Sequence, residues 1–206
     1  MLKIKAPADY LTQSGSCLYS LKMGNRGGAQ SACERALELS EKRSADDLNR
    51  LAAAYLLNDK PAKAIPLLQE AMKKAPAYPK VINNFGYCFL LRGQHKKAIG
   101  LFQDAIKLDP DFVSARKNLA RAYFESGDYK ASAEELKALL VISPQDQETM
   151  LRLTVLYAGY LGNLKEARNY ANKAMSLGLD PQAAQELSLI LGDVQEAAPQ
   201  TPLQPW

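Results

Sequence analysis

Histidine occurs once in this chain, at His95, beside Lys96 and Lys97. No Ser–His or Cys–His nucleophile pair is suggested by its context, and His95 reads as a solvated residue at a helix start. Cysteine is scarce as well. Cys17, Cys33 and Cys88 are odd in number and lack metal-ligand spacing. Cys33 and Cys88 fall where small core residues belong, so reduced, buried thiols are expected. Neither a metal nor a cofactor is expected, nor enzymatic activity. No run of about 18 apolar residues is present, which excludes a membrane-spanning helix. The N-terminal stretch MLKIKAPADYLTQSGSC has no apolar segment of signal-peptide length. Its SGSC faintly resembles a lipoprotein cleavage site, but nothing apolar precedes it. Net charge is only +4, with Lys and Arg interleaved with Asp and Glu, so nucleic acid is not an expected partner. The Gly-rich GNRGG at 24–28 lacks the Gly-Lys-Ser/Thr of a phosphate loop and reads as a turn.

What the chain does have is periodicity. Pro76, Pro110 and Pro144 stand 34 residues apart, and Tyr55, Phe89, Tyr123 and Tyr157 keep the same step. So do Leu51, Phe85, Leu119 and Leu153, and the small column Ala52, Gly86, Ala120 and Thr154. Ala64, Ala98 and Ser132 follow, as do Leu68, Phe102 and Leu136. Phe85, Gly86 and Phe89 share one helix face, and Ala98, Phe102 and Ala105 share another. Turn signals lie between the two helices of each unit: Asn58-Asp59, Gly93, Gly127-Asp128 and Gly162-Asn163. Gly93 is expected at a helix C-terminus with positive φ. Gly86 is expected where a paired helix crosses at close range.

The pattern Leu/Phe–small–x2–aromatic, Gly, Ala-x3-Phe/Leu-x2-Ala, Pro resembles the tetratricopeptide repeat (TPR). The resemblance covers a degenerate helix pair in 1–44 and repeats at 45–78, 79–112, 113–146 and 147–181. The last has one extra residue in its turn. A capping helix is expected at 181–192, followed by a Pro-rich tail, 193–206, that suits extended polyproline-II. The implied fold is all-α, a right-handed TPR superhelix of antiparallel helix pairs. The run from Asn83 to Tyr129 looks like bacterial TPR proteins in general, and is similar to TPR lipoproteins of tight-adherence and type IV pilus assembly.

The resemblance also implies a binding face on the first helix of each pair, lined by repeat positions 2, 5, 9 and 12, with position 6 at its edge. Those columns nominate Asn49, Lys80, Asn83, Asn84, Tyr87, Lys117, Asn118 and Arg121 as peptide-binding residues. An Asn amide carries donors and an acceptor, and a ladder of amides can satisfy the backbone of an extended peptide. Lys80, Lys117 and Arg121 would attract a carboxylate or acidic segment, and Tyr87 offers an apolar body with a polar tip. The residue set that holds the C-terminal carboxylate of heat-shock chaperones is matched here only by Asn84. The expected function is a non-catalytic adaptor holding an extended peptide. The alternative is a structural assembly factor of a bacterial envelope machine, a pilus or secretion system, acting through other surfaces. A protein or peptide partner is expected, with the chain a monomer or weak homo-oligomer. Placement is cytoplasmic by default, or in the envelope or periplasm if a signal was trimmed from the N-terminus.

Overall fold

The computed structural model describes residues 8–179 and, beyond them, 182, 185, 187, 188, 191 and 192. Within 8–179 ten α-helices follow one another: α1 (Ala8–Lys22), α2 (Arg26–Leu39), α3 (Ala45–Leu57), α4 (Pro61–Lys74), α5 (Pro79–Leu90), α6 (His95–Leu108), α7 (Val113–Glu125), α8 (Tyr129–Ile142), α9 (Gln147–Gly159) and α10 (Leu164–Ser176). No strand occurs among the described residues. The single residues described after Leu179, from Gln182 to Gly192, are helical, and Leu187 is buried. The rest of 181–192 and the tail 193–206 lie outside the described residues.

The helices pair as α1/α2, α3/α4, α5/α6, α7/α8 and α9/α10. A turn of a few residues joins each pair, so its two helices run antiparallel. The pairs fall into two compact units, α1–α6 and α7–α10, divided between Phe112 and Val113. In the first unit α1, α3 and α5, the leading helices of consecutive pairs, pack side by side. Leu48, Leu51, Leu68 and Val81 are buried in its core, and Phe102 is fully buried between α5 and α6. The second unit buries Leu136, Leu139, Leu153, Leu156 and Ala167.

The turns explain how the pairs close. Gly93 adopts φ +68°, as its C-terminal position demands, and donates its N–H to Leu90 O at 2.9 Å. Asp59 takes the equivalent left-handed conformation (φ 56°) without being glycine. The next N–H closes each turn on the helix: Asn25 on Ser20 O, Lys60 on Tyr55 O, Gln94 on Phe89 O and Asp128 on Tyr123 O. In the last pair Asn163 closes on Tyr157 O, one residue wider. At Gly86 the helices cross closely enough that a Cβ would lie 2.7 Å from Phe102 Cε1 and 3.2 Å from Leu101 Cβ. GNRGG is the α1–α2 turn: Gly24 has φ +64°, and Asn25 caps α2 by accepting the N–H of Gly28.

The cysteines require a correction. Cys33, expected as a reduced thiol, forms a disulfide with Cys17 that joins α1 to α2. The turn hydrogen bonds supply the reason. They put Ser20 level with Tyr55, Phe89 and Tyr123, which sets Cys17 in the column of Ala52 and Gly86. Cys33 likewise falls in the column of Leu68 and Phe102. The disulfide therefore bridges the spot where the third pair has its tightest contact. Cys88 is the free thiol, buried in α5, and desolvation pushes its pKa up to about 12, so it stays protonated.

Candidate peptide-binding face

Five of the nominated residues belong to the first unit. Asn49 sits on α3; Lys80, Asn83, Asn84 and Tyr87 sit on α5. The asparagines meet one another: Asn84 Nδ2 donates to Asn49 Oδ1 at 2.8 Å, and Asn83 Nδ2 donates to Asn84 Oδ1 at 3.3 Å. Asn49 and Asn83 are only 7% and 6% exposed. The Asn84–Asn49 bond therefore ties α5 to α3, and Asn84, half-buried, is the member of the ladder nearest to solvent. Tyr87 is half-buried and Lys80 exposed, with no ion pair at Lys80 among the described residues.

Counted from the turns, the column of Tyr87 continues through Ala53 to Leu18 on α1, which is 42% exposed. Leu18, Ala53 and Tyr87 thus form an apolar stripe across three adjacent helices. A polar band runs alongside it. Arg50 pairs with Asp46 on its own helix and donates to Ser14 Oγ of α1. Tyr78 Oη donates to Asp46 Oδ1 at 2.9 Å. Burial and the Asp46 carboxylate together push the Tyr78 phenol up, so it remains a donor at neutral pH.

Asp47, one residue on, is buried and collects hydrogen bonds from Tyr10 Oη (2.7 Å), Ser40 Oγ (2.8 Å), Ser44 Oγ (2.7 Å) and the Ser44 N–H (3.2 Å). Burial alone would raise its pKa, but the donors from Ser44, Tyr10 and Ser40 outweigh burial and hold it below the ordinary aspartate value. The carboxylate joins α1, the α2–α3 link and α3 at one point. Ser44 and Asp47 also form a reciprocal capping box. The Ser44-Ala-Asp-Asp47 spacing signals that box in the sequence; Tyr10, from another helix, has no such signal.

The other three nominated residues lie on α7 in the second unit. Lys117 Nζ contacts Glu148 Oε2 at 2.9 Å and Asp146 Oδ2 at 3.2 Å. Arg121 Nε pairs with Glu125 Oε1 at 2.6 Å. Arg152 holds the other oxygen of Glu148, also at 2.6 Å. Burial would lower the Lys117 pKa, but Glu148 and Asp146 more than offset it and the pKa is raised. Arg152 and then Lys117 hold Glu148 below its usual range. On α7 the positive charge expected to attract a carboxylate is thus already engaged by this chain's own carboxylates, two of them at the start of the next pair. Asn118 is half-buried on the same helix. His95 opens α6, as expected, but is half-buried rather than solvated. No group of three or more His, Cys, Asp or Glu among the described residues is placed to hold a metal. No described helix is long and apolar enough to cross a membrane.

Residues 89–154 match the family model of the tetratricopeptide repeat. That segment carries the tetratricopeptide repeat. The architecture agrees over a longer span. PilF of Pseudomonas aeruginosa is similar at 20% identity and a TM-score of 0.73, over 91% of this chain and 85% of that one. TTC0263, a thermophilic TPR protein of Thermus thermophilus, is similar at 17% identity and a TM-score of 0.72, over 90% and 98%. MamA from Desulfovibrio magneticus RS-1, from residue 41 to its end, is similar at 16% identity and a TM-score of 0.67, over 84% and 97%. At these identities the likeness is one of fold. No curated protein sequence matches the chain. TPR folds are protein-interaction scaffolds and generally non-catalytic, and this chain has that scaffold.

Proposed function

We propose that the protein is a non-catalytic adaptor that holds an extended peptide on the face of α1, α3 and α5. The observation that carries this reading is the stripe Leu18–Ala53–Tyr87 beside the half-buried Asn84 amide. An extended ligand sets alternate side chains toward the face, where a small residue between two larger ones leaves a seat for an apolar group. Asn84 retains capacity beyond its bonds to Asn49 and Asn83, and serves one backbone group rather than a continuous ladder. Lys80, exposed about two turns before Tyr87 on α5, adds a positive charge for an acidic flank. Lys117 and Arg121 belong to α7 in the second unit and are engaged by Glu148, Asp146 and Glu125.

A photocrosslinking residue at position 87 tests this in the native cell, with the same residue at exposed Lys130 as the comparison. A partner captured from position 87, and lost when Lys80→Glu is added, supports the assignment. Capture from position 130 alone would overturn it. The second reading, an assembly factor of an envelope machine working through other surfaces, draws support from the Cys17–Cys33 disulfide, since such bonds persist in oxidising compartments such as the bacterial periplasm. It also corresponds to capture from position 130.

A further inference from the structure

We infer that the first helix pair is conditional on oxidation: the Cys17–Cys33 bond is what keeps α1 docked. Among the helices of the first unit α1 is the one with little to bury. Its buried side chains are Cys17 and Ser20, with Leu21 adding a partly buried contact. Its larger apolar residues, Leu11, Leu18, Tyr19 and Met23, face outward. Gly15, at mid-helix, faces open space and lowers intrinsic helicity. An isolated helix of this length is marginal in water. The two tethers to α3, Tyr10 to Asp47 and Arg50 to Ser14, are polar. By contrast α2 is tied to the following pair without α1: Tyr55 Oη donates to Glu34 Oε1 at 2.8 Å, and Asn58 Nδ2 donates to the Arg26 carbonyl at 2.9 Å. Where the α5/α6 pair packs Phe102 against Gly86, this pair uses a covalent bond.

The bond is buried, with both cysteines 1% exposed, so reagents reach it only when α1 opens. Oxidation passes two electrons from the two thiols to the disulfide of an exchange catalyst. The Cys17–Cys33 bond forms, the acceptor bond breaks, and both thiol protons end on the acceptor's sulfurs. A dithiol runs the exchange in reverse. In the reduced state α1 detaches and takes with it Leu18, the first station of the stripe. The inference about docking stands whether or not a peptide binds there.

The experiment is hydrogen exchange on the full chain, followed by mass spectrometry, before and after dithiothreitol and on the C17S/C33S variant. Amides of 8–22 should exchange about tenfold faster or more without the bond, while those of α3–α10 keep their rates. Equal protection of 8–22 in all three samples overturns the inference, as does faster exchange throughout the chain, which would make the bond a global rather than a local staple. Thiol titration of the unfolded, unreduced protein from an oxidising compartment should find Cys88 alone. Three titratable thiols there would also refute it.

Discussion

Gly86 shows how much one missing methyl group decides. A Cβ there would lie inside contact distance of the buried Phe102 ring, which is itself enclosed and has no room to retreat. Gly86→Leu should therefore destabilise by roughly 1–3 kcal/mol or more, despite its better helix propensity. Urea midpoints measure this, and an unchanged midpoint would contradict the packing. Gly86 and Gly93 are both legible in the sequence because each belongs to a column. The pairing of Cys17 with Cys33 is not. The N-terminal pair is degenerate in the repeat pattern, and only the turn hydrogen bonds show which column Cys17 occupies. The same holds for Lys117, whose column predicts a solvent-facing cation. Its carboxylate partners belong to the next helix pair, and a periodic pattern records which face a residue takes, not which neighbour waits there.

At the scale of the element, Asp47 is the residue whose charge the fold uses most directly. Its pKa is depressed in the folded state, so its stabilisation is complete above the ordinary aspartate value of 3.8 and fades as pH falls through the lower folded value. Asp47→Asn should cost about 1–3 kcal/mol near neutral pH, because Tyr10, Ser40 and Ser44 lose an ionised acceptor. It should also flatten the acid limb of the stability profile. Denaturation midpoints across about pH 3 to 7, wild type against variant, measure both effects. Helices α3 to α10 are legible from spacing and turn residues. Helix α1 is harder to place because Gly15, Ser16 and Ser20 interrupt the apolar pattern that marks the others. Pro66, inside α4, runs against propensity and is tolerated on an exposed face.

For the molecule as a whole, the two units carry separate buried clusters, so substitutions must be read unit by unit. Leu68→Ala in α4 and Leu153→Ala in α9, both fully buried, should each cost about 2–5 kcal/mol. Hydrogen exchange within the unit that carries the change is the appropriate readout, and unaltered protection in that unit would argue against its core as described. The wider turn between α9 and α10 has a consequence for how such chains are recognised. Gly24 to Asp59 and Gly127 to Gly162 are each one residue longer than the steps between Asp59, Gly93 and Gly127. A ruler of fixed pitch keeps step only along the middle of the chain, where residues 89–154 lie. Kinship among such proteins is therefore better traced by aligning their turns than by counting along their length.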